Sequence, residues 1–284
     1  MLKRKPSIYF ILYMVLFVSI IFTVDYYLDK RNVLHLHFID VGRGDSILIR
    51  DANGFDILID GGMREGGRIV VKYMRSLGVD DIEVMIATHG HGDHVRGLIN
   101  VLDAEDIPVE SVLYPGHTSE KTYWSNFIAA AQRKELTPEV AHYPQTYQWG
   151  EMKASILNPL EDKAYKNQND ASVVIRIEHG EMDFLLMGDA SIIVENEILA
   201  RGDTVEATIL KVGHHGSSYS TSAEFVAAVD PAEAIISVGG NEQGLPNQET
   251  IDRLQAQGVR VWRTDEMGTI TVVSDGHTYS VDTE

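Results

Sequence analysis

Three histidines and one aspartate lie within six residues in the segment MIATHGHGDHVRG, where glycines separate His89, His91, Asp93 and His94. Imidazole nitrogens and carboxylate oxygens are strong ligands for zinc, manganese and iron. Two histidines that are two positions apart can face one ion, while Asp93 and His94 can face a second ion beside it. The glycines allow the tight backbone that such a cluster requires. The segment therefore predicts a site for two divalent metal ions, zinc or manganese.

Further acidic and imidazole side chains follow other apolar segments of the chain. Asp60 ends the segment ILID, Asp189 follows FLLMG, and His214 and His215 follow ATILKVG. Sites in α/β proteins are built at the carboxyl ends of strands. We therefore expect these side chains to join the histidine cluster in one shared site.

The segments that must position these residues alternate between strand and helix patterns. VLHLHFIDV and SILIRDANGFDILIDGG predict three strands, the last two joined by a turn at Asn53 and Gly54. RIVVKYMRSLG repeats apolar residues at helical spacing, and Gly78 ends that helix. A strand at EVMIAT leads into the histidine cluster, and a helix at Val95–Leu102 follows it.

The second half of the chain repeats this alternation. TSAEFVAAV predicts a helix that begins with a capping box from Thr221 to Glu224. The segment 136–150 is poorly patterned, and we expect a flap over the site there, where specificity would be determined. Two clusters of strands with helices between them predict an α/β fold, a four-layer αββα sandwich that comprises residues 32–284.

The N-terminus differs from the rest of the chain. Lys3, Arg4 and Lys5 precede an 18-residue apolar run from Ser7 to Val24, which is long enough to cross a bilayer as a helix. No small-x-small cleavage site follows, which favours an uncleaved anchor over a signal peptide. The basic residues favour a cytoplasmic N-terminus. We expect residues 1–31 to form a single-pass transmembrane anchor in the cell membrane, with the larger domain on the extracytoplasmic side.

The composition excludes several kinds of chemistry. Cysteine is absent, so the chain has no disulfide, no thiolate metal ligand and no cysteine nucleophile. Residues 1–31 hold five basic and two acidic side chains. The remainder carries 19 Lys and Arg against 40 Asp and Glu, a net charge near −21. Because so acidic a domain repels polyanions at long range, we expect no stable complex with nucleic acid.

The order of these motifs resembles that of the metallo-β-lactamase superfamily and, within it, the hydrolase domain of the ComEC competence family, which acts in DNA uptake. The matching segments are HFIDVGRGDSILIR, GFDILIDGG, ATHGHGDHVRGL, NDASVVIRI, FLLMGDA, LKVGHHGSSYSTSAEF and PAEAIISVGGN. The resemblance implies the αββα fold, two metal ions and direct hydrolysis by metal-activated water. The large membrane channel of ComEC has no counterpart here, so we do not expect this chain alone to transport DNA.

The resemblance also implies a set of metal ligands. They are His89 and His91 for the first metal, Asp93 and His94 for the second, Asp189 as a bridge between the two, and His214 to complete the second site. His215 competes with His214 for that role, and alternation along the strand does not decide between them. Asp60 would support the ligands from behind, and Asp93 would also hold the attacking water as a catalytic residue.

Three positions depart from the family pattern. The family often supplies another histidine before the bridging aspartate, where this chain has Asn169, Asp170 and Ser172. The first metal would then bind weakly or take an oxygen ligand such as Asn169 or Ser172. Arg43 stands where the subgroup usually has glutamine, and Leu245 stands where histidine is common.

The bridging aspartate and the lack of cysteine favour phosphoester hydrolysis over β-lactam cleavage. A phosphodiester in single-stranded DNA or in a cell-envelope polymer would suit an anchored enzyme. Candidate phosphate contacts are Arg96, Lys211, Ser217 and Ser218. The alternatives are a non-catalytic metal-binding domain and a lactone or thioester hydrolase. The remaining histidines are expected to lie outside the site; they are His35, His37, His117, His142, His179 and His277.

Overall fold

Two β-sheets pack face to face in the computed structural model, which describes residues 9, 12–19, 33–117, 119–240 and 244–284. The strands of the described residues are β1 (Leu34–Phe38), β2 (Ile47–Asp51), β3 (Asp56–Ile59), β4 (Ile82–Ile86), β5 (Val109–Tyr114), β6 (Glu139–Val140), β7 (Thr146–Trp149), β8 (Met152–Asn158), β9 (Val174–His179), β10 (Met182–Leu186), β11 (Ile209–Lys211), β12 (Glu233–Ile236), β13 (Arg260–Arg263), β14 (Ile270–Ser274) and β15 (Tyr279–Thr283). The first sheet has the order β15–β14–β1–β2–β3–β4–β5–β6, and the second has the order β13–β12–β11–β10–β9–β8–β7.

Helices cover the outer face of each sheet. The α-helices after residue 33 are α1 (Arg64–Ser76), α2 (Gly92–Leu102), α3 (Thr122–Arg133), α4 (Ile192–Arg201), α5 (Ala223–Val229), α6 (Gln248–Ala256) and α7 (Thr264–Met267). Short 3-10 turns at Asn169–Ala171 and Gly213–Gly216 lie beside the site. Helix α1 ends before Gly78, whose φ of +69° stops it as the sequence predicts.

Three apolar layers hold the sheets and helices together. One lies between the two sheets, the second lies between the first sheet and helices α1, α2 and α3, and the third lies between the second sheet and helices α4, α5 and α6. Strand β3 contributes side chains to two of these layers. Ile57 and Ile59 face the other sheet, while Leu58 faces the helices. This alternation follows from the two-residue period of a strand. The predicted four-layer αββα sandwich is confirmed.

The parallel strands bring their carboxyl ends to the same edge. Strand β3 pairs in parallel with β4, and in the second sheet β10 pairs in parallel with β11. The segments that follow these four strands carry Asp60, His89, Asp189 and the pair His214–His215. The fold therefore places the chemically active side chains of both sheets at one end of the sandwich.

Two local predictions are wrong. The helix at residue 223 is capped by Ser222, whose side chain accepts a hydrogen bond from the backbone of Phe225, and not by Thr221. The segment expected to be a flap instead forms β6 on the first sheet and β7 on the second, joining one edge strand to the other. Its strands pair with the edges of these sheets, and none of residues 136–150 lines the pocket that contains Asp189.

The predicted anchor falls mainly outside the described residues. Of the apolar run from Ser7 to Val24, the structure describes only residue 9 and residues 12–19, which are helical. Within the described part of the chain, none of the helices has the length and apolar character needed to cross a membrane.

Candidate metal centre

The histidine cluster spans the end of a strand and the start of a helix. His89 follows β4, His91 is the N-cap residue of α2, and Asp93 and His94 lie in the first turn of that helix. The side chains of His89 and His94 are fully buried, with 0% exposure, and their ring centroids are 4.1 Å apart. The change from strand to helix turns successive ligands toward one centre.

Asp60 orients two of these rings from behind. Its carboxylate accepts hydrogen bonds from the backbone N–H of Thr88 at 2.9 Å and from the Thr88 hydroxyl at 2.6 Å. Oδ2 of Asp60 also lies 2.7 Å from Nδ1 of His94. Since the Thr88 hydroxyl donates to Asp60, its oxygen can accept from Nδ1 of His89 at 3.1 Å. Both histidines therefore turn Nε2 toward the centre of the site.

Asp189 occupies that centre. Its Oδ2 atom lies 3.5 Å from Nε2 of His89 and 3.4 Å from Nε2 of His94. Its Oδ1 atom lies 3.5 Å from Nε2 of His215. The backbone N–H of Asp189 donates to the hydroxyl of Ser172 at 3.1 Å, so Ser172 holds the loop that carries the aspartate. The carboxylate thus faces imidazole nitrogens from both sheets.

His214 and His215 take different positions. His215 is buried. One of its ring nitrogens, a carboxylate oxygen of Asp93 and a ring nitrogen of His94 all lie within 4.8 Å of one another. His214 is partly exposed; its Nε2 lies 3.9 Å from Oδ2 of Asp189 and closer, at 3.3 Å, to the side-chain amide nitrogen of Asn169. The two adjacent rings therefore point to different sides of Asp189.

A buried network that the sequence analysis did not identify holds His215 in place. Nδ1 of His215 lies 3.0 Å from the backbone carbonyl of Ser237 and 3.2 Å from Oδ1 of Asp45. The other carboxylate oxygen of Asp45 pairs with the ammonium of Lys211 at 2.9 Å. Lys211 is fully buried and also donates to the carbonyl of Val212. In the sequence, Asp45 is visible only as an acidic residue in the segment GRGDS. No periodic pattern connects it to Lys211 or His215.

The electrostatics of the site follow from its burial. Burial lowers the pKa of His89, and the neighbouring His94 lowers it further, which keeps the lone pair of His89 available. Burial alone would raise the pKa of Asp189, but His215, His94 and His89 hold it well below its ordinary range. Burial lowers the pKa of His94, but Asp189 and Asp60 outweigh this effect and raise it well above its usual value, so a metal ion that binds Nε2 would displace a proton.

Several polar atoms at the centre lack hydrogen-bond partners among the described residues. They are Nε2 of His94, Nε2 of His215, Oδ1 of Asp189 and Oδ1 of Asn169. An unpaired buried polar group is costly, whereas deprotonated imidazole and carboxylate are what a divalent metal requires. The nitrogen and oxygen donor set therefore fits a divalent metal ion.

Glycines allow the backbone segments of the site to approach closely. A Cβ atom on Gly97 would lie 1.7 Å from the carbonyl oxygen of Gly61, so α2 can pack against the end of β3 only without side chains there. A Cβ atom on Gly44 would lie 1.7 Å from the carbonyl oxygen of Asp93. These contacts bring His94 to Asp60 and bring Arg43 to Asp93, where Nε of Arg43 donates to Oδ2 at 3.1 Å.

The candidate phosphate contacts Lys211, Ser217 and Ser218 do not line the pocket over Asp189, and neither does His117. The burial of Lys211 and its ion pair with Asp45 correct the expectation that this ammonium contacts a substrate. Ser217 is buried, and neither Ser217 nor Ser218 lines the pocket over Asp189. His117 packs 6.4 Å from the ring of Tyr165, away from the site.

The centre opens into a pocket of about 430 Å³. The pocket is lined by Arg43, Met63, His91, Gly92, Asp93, Arg96, Tyr123, Asn169, Asp189, His214 and His215. Tyr123 belongs to α3, and the guanidinium of Arg96 lies 4.6 Å above its ring. The recess combines buried metal-ligating atoms with two arginines at its rim, which suits an anionic group that must reach a metal.

An αββα sandwich with a histidine- and aspartate-rich centre where its two sheets meet is the architecture of the metallo-β-lactamase fold. The metallo-beta-lactamase superfamily matches residues 39–240, more than two thirds of the chain. The protein belongs to this superfamily.

Within the superfamily, the chain is similar to competence proteins. It is 31% identical over 251 residues to ComE operon protein 3 of Bacillus subtilis (strain 168), covering 82% of this chain and 32% of that protein. It is 27% identical over 233 residues to Competence protein ComA of Neisseria gonorrhoeae, covering 81% of this chain and 31% of that protein. The chain thus spans about a third of the length of these relatives.

Solved structures show the same fold at low sequence identity. The metallo-beta-lactamase fold protein YhfI from Bacillus subtilis aligns with a TM-score of 0.55 at 10% identity, covering 86% of this chain and 100% of that one. Tm1679, a metal-dependent hydrolase of the beta-lactamase superfamily, aligns with a TM-score of 0.56 at 14% identity, covering 83% of this chain and 98% of that one. The family resemblance and the relation to competence proteins are confirmed.

Proposed function

We propose that this protein is a metal-dependent phosphodiesterase that uses two divalent metal ions to hydrolyse a nucleic-acid strand. The observation that carries the proposal is the position of Asp189. Its two carboxylate oxygens face different imidazoles, with Oδ2 near His89 and His94 and Oδ1 near His215. Oδ2 thus faces a candidate ligand of each ion, His89 for the first and His94 for the second, which is what a bridging carboxylate requires.

The second metal would be held by Asp93, His94 and His215 together with Asp189, because the ligand atoms of the first three lie within 4.8 Å of one another. This set assigns to His215 the role that the sequence analysis expected for His214. Nδ1 of His215 is engaged by Ser237 and Asp45, so only Nε2 is available to a metal.

The first metal would be held by His89, His91 and Asp189. Nε2 of His89 and Nδ1 of His91 lie 3.1 Å apart, close enough for both nitrogens to bind one ion. The missing histidine before Asp189 would be replaced by His214 or by the amide oxygen of Asn169, which has no hydrogen-bond partner among the described residues. An ion completed by the Asn169 amide oxygen would bind more weakly than one held by three histidines.

The bound ions would supply an activated water at neutral pH and polarise a phosphoryl oxygen. The chain itself performs the remaining tasks. Arg43 and Arg96 line the rim and can pair with the anionic oxygens of a phosphodiester. Asp93 can accept a proton from the attacking water, since it lies beside His94 and its second oxygen is oriented by Arg43. Asp60 and Asp45 hold the ligands in position.

The cations at the rim favour a phosphodiester over a lactone or thioester. An uncharged acyl substrate would require an apolar recess, whereas the rim carries Arg43 and Arg96 beside the ligands. Relatives named for competence, and Recombination protein 2 of Haemophilus influenzae, which is 30% identical over 242 residues, favour DNA over a cell-envelope polymer.

A second candidate is a binding domain that holds one metal without catalysis. The segment Asn169–Ala171 favours it, because this segment offers amide and carboxylate oxygens where the family often has histidine. Under this proposal only the set around His215 would bind metal tightly.

We also propose that residues 1–31 anchor the protein in the cell membrane. The support is the apolar run from Ser7 to Val24 after three basic residues. Protease treatment of intact cells or spheroplasts would digest residues 32–284 if the domain is extracytoplasmic. Protection of the domain until the cells are lysed would contradict the proposed orientation.

The catalytic proposal is tested by metal content and hydrolysis of the purified chain, with bis-p-nitrophenyl phosphate and a single-stranded oligonucleotide as substrates and zinc or manganese added. We expect two ions per chain and loss of activity in Asp189→Asn and His91→Ala. His215→Ala should lose one tightly bound ion, whereas His214→Ala should affect only the weaker site. One ion per chain with no turnover of either substrate would instead support the binding domain.

A further inference from the structure

A second groove runs along the helices of the first sheet, beside the pocket over Asp189. It has a volume of about 710 Å³ and is lined by residues of α1, α2 and α3 and by Lys121 at the start of α3. Arg96 and Tyr123 line both this groove and the pocket over Asp189. The two spaces are therefore neighbours, with the stacked pair of Arg96 and Tyr123 contributing to both.

The groove is cationic although the protein is acidic. Four basic side chains line it, namely Arg64, Arg96, Lys121 and Arg133, against two carboxylates, Glu65 and Asp103. Asp103 is paired with Arg133 at 2.9 Å. For the other three cations, no ion pair within 4.0 Å is found among the described residues. In a chain of net charge −18, such a run of cations beside the reaction centre is a local reversal of charge.

The cations for which the described residues supply no ion pair are accessible enough to contact an anionic ligand. Arg64 and Lys121 are exposed, while Arg96 is half-buried with its guanidinium 4.6 Å above the ring of Tyr123. The stack fixes one cation at the entrance to the metal centre, and the two exposed cations continue along the groove. Binding that depends on a row of cations and a nearby aromatic ring is typical of grooves that follow a single nucleic-acid strand.

We propose that this groove binds the phosphate backbone of a single-stranded nucleic acid next to the nucleotide that is cut. The inference rests on the proposed phosphodiesterase function and names its substrate as a polymer. A small phosphoester would fill only the pocket of about 430 Å³ and leave the groove empty. His89 and His94 are fully buried, so the reacting phosphate must enter a recess, which a flexible strand can do more readily than a stacked duplex.

Contacts in the groove can offset the repulsion between the acidic protein and a nucleic-acid strand. Repulsion from the acidic surface is screened beyond the Debye length of ~8–10 Å at physiological salt, whereas contacts within the groove are screened much less. The strand would therefore bind weakly overall but in a defined path. Binding should be independent of sequence, since the contacts are to phosphates.

The test is fluorescence anisotropy of a labelled dT oligonucleotide of about 12 nucleotides, within the ~4–16 nucleotides that single-strand grooves cover, with the full chain in EDTA to prevent cleavage. The variant Arg64→Gln/Lys121→Gln removes two groove cations. The control Arg68→Gln/Lys166→Gln removes two exposed cations that do not line the groove. We expect Kd to rise about tenfold in the first variant at low salt, and the slope of log K against log salt to fall by about 1.4.

The outcomes separate this inference from the function on which it rests. Equal Kd values for the groove variant and its control would overturn the proposed path, and so would equal affinity for the duplex of the same oligonucleotide. With metal restored, the groove variant should show a higher KM for the oligonucleotide than the control. If the parent chain hydrolyses no phosphodiester, the proposed function fails, while the binding assay in EDTA still decides the path of the strand.

Discussion

Nδ1 of His94 lies 2.7 Å from Oδ2 of Asp60, and both side chains are fully buried. The two residues are 34 positions apart and belong to different elements, the first turn of α2 and the end of β3. The contact determines which nitrogen of His94 faces Asp189. The position of a candidate metal ligand thus depends on a carboxylate that does not itself line the open pocket.

The first prediction concerns this contact. Asp60→Asn keeps the shape of the side chain but removes the charge that orients His94 and, through Thr88, His89. Loss of such a supporting carboxylate weakens metal binding by roughly 10–100-fold. Titration calorimetry with zinc measures the change. Asp80→Asn, an exposed site, is the control, and equal affinity in both variants would show that Asp60 does not orient the ligands.

The second prediction concerns the close approach of α2 to β3. A Cβ atom on Gly97 would lie 1.7 Å from the carbonyl oxygen of Gly61, and neither backbone segment can yield without moving the helix. Gly97→Ala should lower the free energy of unfolding by about 1–3 kcal/mol and reduce metal content, because the helix carries His94. Gly240→Ala, where a Cβ atom meets no atom of the described residues within 4 Å, should change neither. Denaturant unfolding and metal analysis of both variants would test this, and a stable, fully metallated Gly97→Ala protein would refute it.

The third prediction distinguishes two roles for Lys211. The pair with Asp45 is buried, so Lys211→Met leaves a carboxylate without its partner and should cost about 3–5 kcal/mol of unfolding free energy. The double variant Lys211→Met/Asp45→Asn should recover part of that loss. Urea unfolding at saturating metal measures both effects. If Lys211 contacted substrate instead, the single variant would raise KM without changing stability.

The fourth prediction concerns pH and a site far from the metal. Burial raises the pKa of Asp56 to about 6, although Nε of Arg50 donates to it at 2.7 Å and partly offsets the effect. The folded protein therefore binds this proton more tightly than the unfolded chain, where the pKa is 3.8. This contribution to stability is fully present below pH 4 and is lost as the pH rises to 6.

Asp56→Asn removes this dependence, since the amide does not titrate. As the pH rises from 4 to 6, the parent should lose unfolding free energy relative to the variant. Above that range the difference between the two should stay constant. Urea unfolding at several pH values measures it. A constant difference across the range would mean that Asp56 titrates alike in the folded and unfolded chains.

Periodic patterns accounted for most of the architecture. Ile57, Leu58 and Ile59 alternate between two apolar layers because successive side chains of a strand point to opposite faces, and this alternation can be read directly in the sequence. The start of the helix after Ser222 was misplaced by one residue because Thr221 and Ser222 are both good capping residues, and the backbone of the folded loop selects one of them. The two edge strands in the segment 136–150 have only two and four residues, too few for a two-residue period to stand out in the sequence.

The sequence by itself determined the ligand types, their order and their attachment to strand ends, since these depend on residue identity and local period. Tertiary structure alone decided how the ligands are oriented. Neighbouring His214 and His215 diverge because both have left-handed backbone conformations, with φ values of +48° and +52°, and because Asp45 and Ser237 engage only the second ring. Such contacts join distant parts of the chain, and no local pattern encodes them.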